Sequence, residues 1–222
     1  MYESTWVCEN ELKDNKKIYL FFKRLLDIVV SVIALLLAFP IFLVIALVIK
    51  LEDHGPVFYK HKRVGKNGKT IYLYKFRSMV VDAEAKMKEF TKEQQEEFQK
   101  FYKLTDDPRI TKIGKNLRKT SLDELPQLLN ILKGDMSIIG PRPVVEKELN
   151  KFGNGQDLLL SVKPGLTGLW ACSGRSDTTY EERVEKELYY AENYSMKLDL
   201  LCFFKTCLSV VKGTGARWII VY

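Results

Sequence analysis

The sequence predicts an α+β fold, mostly helical, with a membrane helix near the N-terminus, one β-hairpin and surrounding amphipathic helices. Three observations carry this. Ile28 to Ile49, "IVVSVIALLLAFPIFLVIALVI", contains no charge. Two segments rich in aromatic and β-branched residues, Val57 to Val64 and Thr70 to Phe76, flank an Asn67-Gly68 turn. Most of the remainder places apolar residues at helical spacing.

The uncharged run is long enough to cross a bilayer, for which roughly 20 residues suffice. It is too long and too far from the start for a cleavable signal, and no small-residue cleavage site follows. Pro40 near its centre removes a helical hydrogen bond and predicts a break. Each arm would then be about 14–18 Å long, close to one leaflet. Both flanks are basic, with Lys16, Lys17, Lys23 and Arg24 before and Lys50, Lys60, Lys62 and Arg63 after. The positive-inside rule places both in the cytoplasm. A re-entrant helix that bends at Pro40 satisfies both facts. A plain spanning helix with a tolerated proline is the alternative.

The hairpin carries Lys60, Lys62, Arg63, Lys66, Lys69, Lys75 and Arg77. Most suit a solvated strand face or anionic headgroups. Lys75 and Arg77, at the end of the second strand, are the better site candidates. Asp82 to Lys103 reads as a polar surface helix with a narrow apolar face at Met87, Phe90, Phe98 and Phe101. A short helix over Ile110, Ile113 and Leu117 carries Arg118 and Lys119, and Leu125 to Leu132 forms another, stopped by Lys133-Gly134. "GPRP" then fixes a turn around Arg142. Lys163 to Asp177 is an ordered loop, and two further helices follow. The last is apolar on a broad face that suits core or the membrane interface. The tail "RWIIVY" is apolar, with Trp218 and Tyr222 of headgroup type.

The chain has 222 residues, 46% of them hydrophobic, and a net charge of +7. Such a charge suits an anionic partner: nucleic acid, an acidic membrane or a phosphorylated substrate. Cys8, Cys172, Cys202 and Cys207 show no zinc spacing and read as reduced thiols. His54 and His61 are too isolated for a metal site. No dinucleotide fingerprint or P-loop is present.

"TSLDELPQ", Thr120 to Gln127, carries adjacent carboxylates. Ser121 and Glu124 have the spacing of a capping box. With Ser121 as N-cap, however, Pro126 would be the fifth helical residue and remove an internal bond. With Asp123 as N-cap it is the third, where none is lost. The carboxylates then sit at a helix mouth beside Arg118 and Lys119. Carboxylates for a metal and cations for phosphate are what phosphoryl transfer from a nucleotide needs. An Asp carboxylate can also attack phosphorus covalently. Helix punctuation and chemistry both remain open on spacing alone.

"KRLLDIVVSVIALLLAFPIF", "DPRITKIG", "LRKTSLDELPQLLNILKGDMSIIGPRP" and "VKPGLTGLWACSGRSD" together resemble the bacterial sugar transferases, monotopic polyprenyl-phosphate phosphoglycosyl transferases. The likeness runs from about Lys23 to Gly215 with the motifs in order. Phe39 stands where the family often has Ser before the proline. The resemblance implies transfer of a sugar-1-phosphate, glucose or galactose, from a UDP-sugar to undecaprenyl phosphate with release of UMP. Such a step starts exopolysaccharide or capsule synthesis. It makes Asp123 the nucleophile and Glu124 its partner in holding Mg²⁺. Arg118, Lys75 and Arg77 become candidate phosphate binders, and Pro141, Arg142 and Pro143 the element beside the nucleotide-sugar. It also divides the chain into a lead (1–22), a re-entrant helix (23–50), a cytoplasmic catalytic domain (51–215) and an apolar tail (216–222). Membrane lipid is an expected partner, nucleic acid is not, and a second copy of the chain is kept open. An N-acetylated sugar donor and a non-catalytic basic membrane scaffold are the alternatives.

Overall fold

The computed structural model describes residues 3–101, 104, 106–174 and 178–212. The helices are α1 (Glu3–Asp53), α2 (Ala83–Lys86), α3 (Lys92–Phe101), α4 (Lys112–Thr120), α5 (Gln127–Lys133), α6 (Glu146–Leu149), α7 (Gln156–Leu160), α8 (Tyr180–Asn193) and α9 (Met196–Lys212). The strands are β1 (Phe58–Val64), β2 (Thr70–Phe76), β3 (Ser137–Ile139) and β4 (Gly165–Thr167). The α+β expectation holds. The apolar tail 216–222, Gly213 and residues 175–177 lie outside the described residues.

Helix α1 carries Pro40 inside continuous helical backbone, so the expected break is absent. A proline forfeits one bond and crowds one turn, and long helices can absorb that. The boundary expected between residues 22 and 23 also falls within this one helix.

One face of α1 lies along the rest of the protein on both sides of Pro40. Asp27, Ser31, Ile45 and Ile49 are buried, and Ala34, Leu35 and Phe42 pack partly buried between them. Their spacing follows the helical period. The opposite face is bare, with Leu37 75% and Val44 62% exposed. Among the described residues this is the one helix long and apolar enough to cross a membrane. So large an exposed apolar surface fits contact with lipid rather than water.

Polar anchors hold α1 to the body. Arg24 donates to the carbonyls of Ile131 and Leu132 at 2.6 and 2.8 Å. It thereby caps two of the carbonyls at the end of α5, where the helix dipole favours a cation. Asp27 accepts from Ser137 Oγ at 3.1 Å and Ile138 N–H at 2.9 Å. Lys23, Tyr19 and Tyr190 all donate to Asp199 at the start of α9. At the far end Asp53 receives the Arg77 guanidinium through both oxygens.

The hairpin forms as expected, with β1 and β2 antiparallel from Phe58–Phe76 to Val64–Thr70. Asn67 and Gly68 take φ of 56° and 74° in its turn, a region that favours Asn and Gly. The free edge of β2 is closed by a side chain. Asn130, fully buried on α5, accepts from Tyr74 N–H at 2.9 Å and donates to Tyr72 O at 2.7 Å. Asn130→Ala should therefore lose about 1–3 kcal/mol of stability, because two part-buried backbone groups lose their partners. Denaturant unfolding would measure this.

A second pairing was not foreseen. β3 and β4 run parallel, Ser137 opposite Gly165 and Ile139 opposite Thr167. Here the backbones crowd: a Cβ on Gly168 would come within 2.0 Å of Gly140 O, so glycine is required there. The polar helix expected over Asp82 to Lys103 is interrupted. α2 passes through a 3₁₀ turn to an extended Phe90 before α3 starts. Phe90 turns inward because Arg109 lies 5.1 Å from the ring centres of both Phe90 and Phe98.

Candidate active site

The adjacent carboxylates sit where α4 turns into α5. α4 ends at Ser121, which takes a left-handed φ of 57°. Leu122–Glu124 then form one 3₁₀ turn, closed by Glu124 N–H to Ser121 O at 3.2 Å. Pro126 precedes α5, where its missing N–H costs nothing. Neither capping reading survives: Ser121 ends α4, and Asp123 lies inside the 3₁₀ turn rather than at an N-cap. Leu122 and Leu125 bracket the carboxylates. Both pack on the cluster of Ile45, Ile49, Phe76 and Leu117. Fully burying a side chain of that size stabilises by about 1.5–3 kcal/mol, so the turn is held from behind.

Asp123 and Glu124 have opposite environments. Lys75 Nζ lies 2.6 Å from Glu124 Oε1. Burial would raise the Glu124 carboxyl, but the charges of Lys75 and Arg142, with hydrogen bonds from Lys75 and Gln127, bring it down to about 2. Asp123 is 7% exposed. Burial raises its carboxyl to about 6, with Glu124's charge adding to the rise against Lys75 and Arg118. Glu124 is thus a fixed anion, and Asp123 a carboxylate held at raised energy, ionised at neutral pH.

An open cleft of about 430 Å³ begins at Glu124. Its walls come from the hairpin (Arg63, Lys75), the start of α5 (Gln127), the Gly140–Pro143 turn, the loop after β4 (Trp170) and α8 (Glu187). Asp123 does not line it but directly precedes Glu124 in the chain. Arg142 faces the cleft, its guanidinium carbon 5.6 Å from the Trp170 ring centre. No hydrogen bond occupies that guanidinium among the described residues. Its backbone N–H donates to Glu187 Oε1 at 3.0 Å.

The structure therefore brings Asp123, Glu124, Lys75, Arg118 and Arg142 into one electrostatic neighbourhood. Arg118 donates through Nε to Ser78 Oγ at 2.8 Å and faces Asp123's charge. Pro143 lines the cleft, whereas Pro141 serves the turn and accepts from Gly165 N–H at 2.8 Å. Arg77 is a correction. It is committed to Asp53, with further bonds to the Pro56 and Met79 carbonyls, and clamps the end of α1. It is a structural residue because all of its bonds run to the α1 end and the adjoining turn. Arg63, Gln127, Trp170 and Glu187 were missed as site residues. Arg63 was one cation among many in the hairpin, and nothing local marks the other three.

No group of three or more His, Cys, Asp or Glu side chains forms a metal cluster among the described residues. Mg²⁺ commonly takes one or two carboxylates plus substrate phosphates, fewer protein ligands than such a cluster holds.

Residues 18–213 match the family model described as bacterial sugar transferase, and the chain belongs to that family. It is 45% identical over 197 residues to the exopolysaccharide production protein ExoY of Sinorhizobium fredii, covering 87% of each chain. It is also 45% identical over 199 residues to the undecaprenyl-phosphate galactose phosphotransferase of Salmonella typhimurium, 88% of this chain and 42% of that one. Identity is 42% over 205 residues to the UDP-glucose:undecaprenyl-phosphate glucose-1-phosphate transferase of Klebsiella pneumoniae, 88% of this chain and 41% of that one. The chain thus spans under half the length of the Salmonella and Klebsiella proteins.

Proposed function

We propose that this protein transfers the sugar-1-phosphate of UDP-glucose or UDP-galactose to undecaprenyl phosphate, releasing UMP, through a covalent intermediate on Asp123. One observation carries the reading. A buried carboxylate raised to about 6 lies next to one lowered to about 2, at the end of a cleft lined by cations. Such a split assigns two roles to two carboxylates.

The Asp123 carboxylate attacks the phosphorus that bears the sugar. The bond from that phosphorus to the bridging oxygen breaks, and UMP leaves with the electron pair. A phosphate oxygen of undecaprenyl phosphate then attacks the same phosphorus and expels the carboxylate. Arg142 and Lys75 offer positive charge to the diphosphate, and Arg118 faces the nucleophile. Glu124 and Asp123 would hold Mg²⁺ together with the donor phosphates, and the ion would neutralise phosphate charge.

The anchoring of α1 supports a monotopic seat. Lys23 and Arg24 at one end and Asp53 at the other hold the same body. That arrangement is unsuited to a helix whose flanks lie on opposite sides of a bilayer. It suits a helix seated shallowly in the membrane with the body on the cytoplasmic side, in line with the basic flanks.

The test is intact-mass measurement of purified protein with Mg²⁺ and a panel of UDP-sugars, N-acetylated donors included, without acceptor lipid. A hexose-phosphate adduct mapping to Asp123 is expected with one donor. No adduct with any donor, alongside normal turnover once lipid is added, would overturn the covalent route. A membrane scaffold would show neither adduct nor UMP.

A further inference from the structure

The inner wall of the cleft holds an acceptor with nothing to accept. Glu187 on α8 is 1% exposed and lines the cleft. Its Oε1 takes the Arg142 N–H at 3.0 Å. Its Oε2 is buried with no hydrogen-bond partner among the described residues. Leaving such an oxygen unpaired costs about 1–3 kcal/mol, more if charged. One turn earlier on the same helix, Arg183 leaves Nε and Nη2 equally unpaired. Its guanidinium carbon lies 5.1 Å from the Trp170 ring centre.

We propose that Glu187 Oε2 accepts a hydrogen from the donor nucleotide-sugar, either a sugar hydroxyl or the uracil imide N–H, and so selects the donor. The inference rests on the reading above that a UDP-sugar occupies this cleft. The choice of ligand group follows from what the wall offers. A phosphate presents only acceptors and negative charge, so it cannot satisfy the ionised form of this carboxylate, whose carboxyl burial pushes up to about 7. A hydroxyl both donates and accepts, and an imide N–H is flanked by carbonyls. Either supplies the donor that this oxygen lacks. The position agrees. Arg142 is near both carboxylates, lowering Glu124 by its charge and binding Glu187 through its backbone N–H. With the diphosphate at Arg142, Glu187 meets a part of the donor beyond the reacting phosphorus. A site built to bond an O–H or N–H rejects analogues lacking it strongly, because the buried partner is left bare.

Glu187→Gln keeps an oxygen for the Arg142 N–H and exchanges the free oxygen for a donor. The full chain, wild type and variant, would be titrated by calorimetry with UDP-glucose, UDP-galactose, UDP, N3-methyl-UDP and inorganic pyrophosphate. Adduct formation would be timed in parallel. The variant should raise KM for the preferred donor about tenfold to a hundredfold with a much smaller change in the saturating rate. Weakening confined to UDP-sugars identifies the sugar hydroxyl. Equal weakening of UDP, with a matching loss by wild type on N3-methyl-UDP, identifies the imide. Unchanged affinity for every nucleotide overturns the proposal. So does equal weakening of pyrophosphate, since the effect then runs through the Arg142 turn. Should Glu187→Gln fail to fold, Glu187→Asp, which withdraws both oxygens and keeps the charge, is read the same way, with pyrophosphate as the control for the lost Arg142 contact. No UMP from wild type with any UDP-sugar and lipid overturns both this inference and the function it rests on. Normal wild-type turnover with an indifferent variant overturns this inference alone.

Discussion

Asp123→Asn should abolish adduct formation and turnover, by at least about a thousandfold, and at the same time raise the melting temperature. The first half follows from removing the attacking oxygen's charge. The second follows from burial. The folded state raises the Asp123 carboxyl from 3.8 to about 6, so it binds the proton more tightly than the unfolded chain does. Stability from this group is greatest below the unfolded value and falls as pH rises from about 4 to about 6. Above that range the ionised carboxylate costs about 3 kcal/mol, taking 1.36 kcal/mol per unit. An amide of the same shape escapes the penalty. The stability difference between variant and wild type should be near zero below pH 4 and reach a plateau above pH 6. Thermal melts across that range measure it. A pH-independent difference would show that the carboxylate is not strained. On the proposed mechanism, in which only the ionised form attacks, the same protonation should set the acid limb of the wild-type rate near pH 6.

Lys75→Met should lower kcat/KM about a hundredfold and move the acid limb of the rate profile to higher pH. Lys75 lowers both carboxylates and bonds Glu124 at 2.6 Å. Without it both rise, and more of Asp123 is protonated at a given pH. Lys75→Arg keeps the charge and should recover much of the rate. The readout is the pH profile of adduct formation. An unmoved acid limb in the Met variant would place the lysine's role in substrate binding alone.

The membrane helix, the hairpin and the Gly134 stop were legible because each depends on local chemistry: an uncharged run, an Asn-Gly turn, a left-handed cap. Asp123 and Glu124 were legible only as a pair with two readings. Family resemblance favoured chemistry, and the 3₁₀ turn at Leu122–Glu124 removed both capping readings. Arg77 misled because its strand position resembles that of Lys75. Which of the two meets the dyad depends on Asp53, 24 residues away. Glu187 and Trp170 were illegible for a related reason. Their neighbours arrive through the parallel β3–β4 pairing, which joins segments that carry no mutual signal in sequence. The continuity of α1 through Pro40 likewise depends on the body packed along it.

The packing of Leu122 and Leu125 against Ile45 and Ile49 has a mechanical result. The two carboxylates are backed by the same apolar cluster that fastens α1. The dyad therefore has no travel of its own along the bilayer normal. Its height is read directly from where the bare face of α1 comes to rest, so the helix serves as a depth stop. A polyprenyl phosphate must bring its headgroup to that level, and the protein need not reach for it.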